Sequence, residues 1–417
     1  MEFKEYKLAD ITEKIYSGGT PSTKEASYWN GELKWLSSGE TSNRFIISTE
    51  KTITQKGVEN SSTKLAFKND LVMASAGQGY TRGQTSFLKI DTYINQSLIA
   101  ISVNKDKVHP LYLFYNLISR YAELRQISDS SSTRGSINTK MIKNLNIMIP
   151  EKSHQNRIVY LINSIDEKIE INKKIIANLE ELSQTLFKRW FVDFEFPDEN
   201  SNPYKSSGGE MINSKLGEIP SDWKVGVLSD MTEIIMGQSP KSDTYNNNKV
   251  GLPLLNGASD FKNRNIKPTK YTSDPKKIGH NLDYVFGVRA TIGLVTELDG
   301  EYAIGRGAGL SKNNEENREF IYEILNQAFT YFERIGSGSV YINISSKDLK
   351  QYKLIIPSKQ VLMKYHYQLE PIFSELHNRK KQITSLTNLR DTLLPKLMSG
   401  EIELPDDIEV NTDELSF

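Results

Sequence analysis

Cysteine is missing from all 417 residues, which excludes disulfides, thiolate metal sites, iron–sulfur clusters and cysteine nucleophiles. Histidine is scarce. His109, His154, His280, His366 and His377 form no His-Glu-x-x-His element and no pair at ligand spacing, so surface or capping roles are expected and no metal site. No apolar run approaches the roughly 20 residues that span a bilayer, and the opening MEFKEYKLADITEK lacks the apolar core of a secretory signal. The expected compartment is the cytoplasm, with no membrane partner. Net charge is lacking too, since 52 Lys+Arg balance 52 Asp+Glu.

That neutrality conceals sorted charge. Residues 1–150 carry 19 basic and 14 acidic side chains, 151–196 carry 7 and 8, and 197–222 carry 2 and 5. Residues 223–357 carry 17 and 15, 358–400 carry 7 and 3, and 401–417 carry none and 7. An acidic tail thus masks a body whose net charge is otherwise +7. This balance suits modest nucleic-acid affinity, and a mixed surface also produces it by chance.

What the chain does have is an internal repeat, with a period near 207. Leu8–Pro21 (LADITEKIYSGGTP) resembles Leu228–Pro240 (LSDMTEIIMGQSP). Ile137-Asn138 and IMIP (147–150) recur as Ile342-Asn343 and LIIP (354–357), with a two-residue length difference. Each half then enters a helix. Helical positions 158, 162, 165, 169, 172, 176, 179, 183 and 186, most of them apolar, step by four and three, the 3.5-residue seam of a coiled coil rather than a broad core face. Its members are Ile158, Ile162, Ile165, Ile169, Asn172, Ile176, Leu179 and Leu186; the second copy supplies Leu369, Ile372, Leu376, Arg379, Ile383, Leu386 and Leu393. A helix over Ser153–Trp190 is about 57 Å long, and the simplest partner of that length is the other copy, lying antiparallel. Asn172 and Arg379 interrupt the seam at equivalent positions. They either meet and fix register or snorkel to water.

The segments 1–150 and 223–357 read as mixed α/β globules: short β-branched runs such as Leu98–Val103 and Asp283–Val288, interrupted by helical stretches such as Leu111–Gln126 and Glu319–Arg334. Residues 151–196 and 358–400 are the two helices, 197–222 the linker and 401–417 the tail. The fold expected is α+β: two similar globules separated by two long antiparallel coiled-coil helices in a pseudo-two-fold repeat.

No catalytic constellation is present. Gly305–Gly309 precedes Ser311-Lys312 without the spacing of a phosphate loop and reads as a strand with close backbone approach. Asn202-Pro203-Tyr204 lacks the second proline of an amino-methyltransferase element, and Pro405-Asp406 with Glu409 lacks the lysine of a nuclease one. The chain instead resembles a recognition scaffold whose loops carry the side chains that contact phosphates and base edges. In the first globule these loops are Gly39–Arg44 with Arg44, Ser75–Gln84 with Gln78, Tyr80 and Arg82, and Ser130–Asn138 with Arg134. In the second they are Phe261–Asn265 with Lys262 and Arg264, VRATIG with Arg289, the turn with Arg306, and Gly336–Asn343 with Ser337 and Ser339. Taken singly, each loop reads more readily as a turn with a solvated charge; the pairing of Arg82 and Arg134 in one globule with Arg264 and Arg289 in the other points to base reading. Two unlike modules on a rod predict a DNA target in two unlike halves with an unread gap.

Three motifs carry a family resemblance. Leu393–Pro405 (LLPKLMSGEIELP), Leu186–Pro197 (LFKRWFVDFEFP) and Leu216–Trp223 (LGEIPSDW) are similar to the closing motif, the central helix end and the second-domain entry of type I restriction-modification specificity subunits. The resemblance implies two target recognition domains, 1–150 and 223–357, two conserved helical regions and no catalysis in this polypeptide. It implies double-stranded DNA with a bipartite target, two modification subunits and restriction subunits as partners. S-adenosylmethionine, ATP and magnesium belong to those partners, and no cofactor to this chain. Trp190, Phe191 and Phe194 at the helix end then either help dock the partners or cap the coil. The rival readings are a stand-alone methyltransferase, which needs a cofactor loop, and a coiled-coil scaffold that does not bind DNA.

Overall fold

The structure, a computed structural model, describes residues 2–77, 79–129, 135–289, 291–336 and 344–405. The chain divides into two compact units, Met1–Ile171 with Thr384–Phe417, and Asn172–Ile383. Each unit therefore combines one globule with a part of each long helix.

In the first unit a five-stranded sheet has the order Thr12–Ser17, Leu98–Val103, Leu71–Ala74, Thr85–Leu88, Phe45–Ile46. A second sheet has the order Lys51–Ile53, Trp29–Leu36, Thr92–Ile94, Lys64–Ala66, in which Trp29–Leu36 and Thr92–Ile94 run parallel. Phe3–Lys7 pairs with Asn146–Pro150. The second unit repeats this plan. Its four-stranded sheet runs Glu233–Met236, Ala308–Lys312, Tyr284–Arg289, Thr291–Glu297, and its five-stranded sheet contains the parallel pair Leu252–Leu255 and Tyr302–Ile304. Lys224–Val227 pairs with Lys353–Ile356.

The repeat extends to single hydrogen bonds. Leu8 N donates to Leu145 O at 2.8 Å, and Leu228 N donates to Tyr352 O at 2.9 Å. Gly18 and Gly237, shared by the two repeat motifs, allow a close backbone crossing: a β-carbon there would overlap the carbonyl of Ile94 or of Gly305. One alignment expected from sequence is corrected. Ile137 and the N-cap Asn138, whose side chain accepts from Met141 N, correspond to buried Ile344 and the N-cap Ser345, which accepts from Asp348 N. The offset there is constant, with no two-residue slip; Ile342-Asn343 lies outside the described residues.

The first long helix is α-helical over Lys152–Phe187 and closes with a π turn over Lys188–Val192; the second spans Lys359–Ser399. Toward their ends they bury more than a two-position seam. Ile158, Val159 and Ile162 share a core with Leu71, Phe87, Phe114, Leu394 and Leu397 in the first unit. Phe187, Trp190, Tyr365, Leu369 and Phe373 share one with Trp223, Tyr284 and Phe320 in the second. The narrow seam expected along the whole length is thus a broad core face at the ends, because there the helices meet a globule. Ile165, Ile169, Asn172, Leu369 and Leu376 are buried, whereas Ile176, Leu179, Leu186, Ile372, Arg379, Ile383, Leu386 and Leu393 are half-buried.

Of the two roles expected for the aromatic helix end, the structure shows inward packing. Trp190, Phe191 and Phe194 are core residues of the second unit. Phe191 lies 5.8 Å from Trp223 and 4.7 Å from Tyr365, and Phe196 stacks between Tyr204 (4.6 Å) and Trp223 (5.0 Å). The motifs LFKRWFVDFEFP and LGEIPSDW are therefore two sides of one aromatic cluster. Among the described residues no helix is long and apolar enough to cross a membrane, and no group of three potential metal ligands occurs.

Candidate nucleic-acid interface

The loops singled out in the first globule converge. Ile137 N donates to Ser75 O at 2.8 Å, tying the end of one loop to the start of another. Thr41 Oγ1 donates to Gln84 Oε1 at 3.3 Å, which brings in the turn Ser38–Ser42. From the helix Tyr121–Asp129, Tyr121 Oη donates to Tyr80 O at 2.7 Å and Arg125 Nη1 to Gly79 O at 2.6 Å. These bonds fix the loop backbone while the Tyr80 ring stays 83% exposed. A large aromatic held out from a polar loop offers a stacking face.

Arg82 is placed differently from Tyr80. It is buried, ion-paired with Asp129, and packed against Gly135, whose φ of +56° and missing β-carbon make room for the guanidinium. Arg44 Nη1 lies 3.5 Å from Asp166 Oδ2 and its Nη2 lies 3.4 Å from Asp391 Oδ1. Burial depresses the Arg44 pKa, and Asp166 opposes that depression. Gln78 and Arg134 lie outside the described residues.

In the second globule three turns meet. Gly307 N donates to Asn256 O at 3.0 Å and Val288 N to Gly307 O at 3.1 Å. Any side chain at 307 would overlap the Asn256 carbonyl, so the glycine run serves close approach. Arg306, Arg289 at a strand end and Lys262 in the turn Ala258–Arg264 are all exposed. Arg264 is not part of that free set: its Nη1 lies 2.7 Å from Glu180 Oε1 and its guanidinium 5.5 Å from the Tyr322 ring centroid. Ser337 and Ser339 fall outside the described residues.

Sequence reading overlooked four exposed polar residues on the same loops. Gln96 occupies in the turn after Thr92–Ile94 the place that Arg306 takes after Tyr302–Ile304, and Thr20 Oγ1 hydrogen-bonds to its Oε1. Asn43, Asn256 and Gln238 are exposed beside the same turns. The signal was present in the repeat itself, since Gly-x-Ser/Thr-Pro occurs at 18–21 and at 237–240. On the helices, Asn172 Oδ1 accepts from Arg379 Nη1 at 3.1 Å and its Nδ2 donates to Gln382 at 3.2 Å, so these two meet rather than snorkel.

Residues 1–181 and 220–385 match the type I restriction modification DNA specificity domain. The chain belongs to the type I restriction-modification specificity subunit family. Among relatives of this family member, the MjaIX specificity subunit of Methanocaldococcus jannaschii is 27% identical over 421 residues, covering 95% of this chain and 93% of that protein. The HindI specificity subunit of Haemophilus influenzae is 24% identical over 466 residues, 96% of this chain and all of that protein. The solved S subunit of M. genitalium shares the fold, with a TM-score of 0.61 at 15% identity over 95% of this chain and 96% of that one. Two DNA specificity domains are thus present in tandem, and the two loop clusters lie within the two matched stretches.

Proposed function

We propose that this chain selects the DNA target of a type I restriction-modification complex, each domain reading one half of a bipartite, asymmetric duplex site. The observation that carries the reading is the twice-built loop cluster: one topology, two unlike sets of exposed side chains, Tyr80, Asn43 and Gln96 against Arg289, Arg306 and Lys262. Side chains of these types hydrogen-bond or stack with bases and neutralise phosphates. Similar frames with different tips read different words. Gln78, Arg134, Ser337 and Ser339 belong to the same proposal through their loops.

The long helices in this reading pair antiparallel as a coiled coil, set the unread spacer and dock two modification subunits. Support comes from polar contacts between them inside each unit: Asp166 to Arg390 at 2.6 Å in the first, Asn172 to Arg379 and Gln382 in the second. The chemistry then belongs to the partners. Modification subunits supply S-adenosylmethionine and methylate adenine, restriction subunits use ATP and magnesium, and this chain binds none of these cofactors. The setting is the cytoplasm.

The test is to reconstitute the full chain with its modification subunits, add S-adenosylmethionine and map methylated adenines over a random duplex library. Two fixed, dissimilar half-sites separated by a constant gap are expected. Methylation without a split pattern, or methyl transfer by the chain alone, overturns the proposal. The logarithm of the apparent duplex affinity should fall linearly with log salt, since phosphate neutralisation releases counterions; negligible duplex binding at any ionic strength favours a scaffold that does not bind DNA.

A further inference from the structure

In both units the arginine at the end of the turn after the parallel strand is spoken for. Trp29–Leu36 leads into the turn Ser38–Ser42 and then Arg44; Leu252–Leu255 leads into the turn Ala258–Arg264. Arg44 reaches Asp166 on the first long helix and Asp391 on the second. Arg264 reaches Glu180 on the first long helix, a carboxylate that also lies 3.9 Å from Lys380 of the second. The two tethers are built at the same step of the repeat but from different acids, and neither is a feature of the helix seam.

Local geometry makes the tether of the second unit firm. Arg264 has a left-handed backbone, φ 57°, which a non-glycine residue adopts only when its surroundings hold it there. Its guanidinium is covered by the Tyr322 ring on one side and bonded to Glu180, and Tyr322 is itself wedged at 5.4 Å against Phe373. Reaching a base edge would require Arg264 to leave both partners and release that backbone. Lys262, two residues earlier and exposed, faces no such requirement. The same turn is hinged to the other loops through Asp260, whose carboxylate accepts Asn256 N at 2.8 Å.

We propose that Arg44 and Arg264 are positioning residues, fastening one recognition turn of each unit to the long helices and so deciding which bases the neighbouring exposed side chains meet. Neither arginine reads a base. The inference rests on the function proposed above and adds to it a source of specificity outside the DNA contact: carboxylates on the helices.

The distinguishing variants leave both arginines in place. Glu180→Gln removes the charge that holds Arg264, and Asp391→Asn weakens the hold on Arg44. In the reconstituted methyltransferase, Glu180→Gln should relax discrimination at one half-site by roughly 10-fold, the scale of one lost base contact, and leave the other half-site intact. Asp391→Asn should relax the opposite half-site, less strongly, because Asp166 still faces Arg44. Arg264→Lys keeps the charge and the pair, so discrimination should stay within about threefold of wild type; a bidentate base reader would lose far more. A wild-type complex without a split site overturns the function and this inference together. A normal wild-type site that Glu180→Gln leaves unchanged overturns the inference alone, as does equal relaxation of both half-sites or a loss of roughly 10-fold or more in Arg264→Lys. Thermal unfolding of each variant identifies folded protein; should Glu180→Gln not fold, the Arg264→Lys result decides.

Discussion

Glu323 is 5% exposed and accepts a hydrogen bond from Ser183 Oγ at 2.9 Å, and burial pushes its pKa up to about 7. The sign of the consequence follows from proton counting. Below the ordinary carboxylate pKa both folded and unfolded chains hold the proton, so nothing is gained or lost. Between that value and about 7 the unfolded chain releases it while the folded chain keeps it, so stability falls as pH rises. Above 7 the full cost, on the order of 3–4 kcal/mol, is present. Glu323→Gln retains an acceptor for Ser183 and has no charge to bury. Its melting temperature should exceed wild type by more at pH 8 than at pH 5, and a gain independent of pH would refute this account. At the same scale, Gly237→Ala should cost roughly 1–3 kcal/mol because the new methyl meets the fixed Gly305 carbonyl. Gly257→Ala should be near neutral when both variants are unfolded in urea, since Gly257 is extended and a β-carbon there meets only ordinary contacts at 3.9 Å. The repeat motif exposes both the value of Gly237 and its twin Gly18 to a reader of the sequence. The burial of Arg82, by contrast, depends on Asp129 and Gly135, brought to it by a helix and a loop some fifty residues away.

The elements with the clearest sequence signature are the two long helices, whose apolar spacing is visible over ten turns. Their polar interior is not. Asp166 and Arg390 are 2% and 7% exposed, lie 2.6 Å apart and share Asp391 and Arg44 as further partners; Arg390 stands at the seam position equivalent to 183, but Asp166 lies beside the seam, so the spacing does not pair them. Asp166→Ala should destabilise the chain by about 3 kcal/mol, the lower part of the range for breaking a buried pair, because Asp391 still engages both arginines. The double change Asp166→Leu with Arg390→Met should cost less than the single one, since it leaves no buried charge unpaired. Urea unfolding of the three proteins measures this, and a double variant less stable than Asp166→Ala would contradict it. The helix-end aromatics carry a related lesson. LFKRWFVDFEFP reads equally as a docking strip or a hydrophobic cap until Trp223 and Tyr365 are placed beside it.

For the molecule as a whole, the function proposed above places specificity in two clusters of turns and loops, and spacing in the helices. Lengthening both helices by one heptad should change the gap between half-sites by about three base pairs, the length of seven helical residues along the duplex, and keep both half-sites. Methylation mapping reads both quantities at once; an unchanged gap would separate the helices from the spacer. The prediction differs from that for the Glu180 and Asp391 variants, which should change the words and keep the gap.

The tandem organisation, the two long helices and the absence of thiols and of a phosphate-loop motif are determined by the sequence alone, because repetition, periodicity and residue type are local properties that no packing can revise. Which of the loop arginines is free was decided only by the tertiary structure. Arg289 and Arg306 project from the turns, whereas Arg44, Arg82 and Arg264 are claimed by carboxylates that lie far away in sequence. A guanidinium is paired or free according to what the fold brings within a few ångströms of it, and that distance is not written in any neighbouring residue.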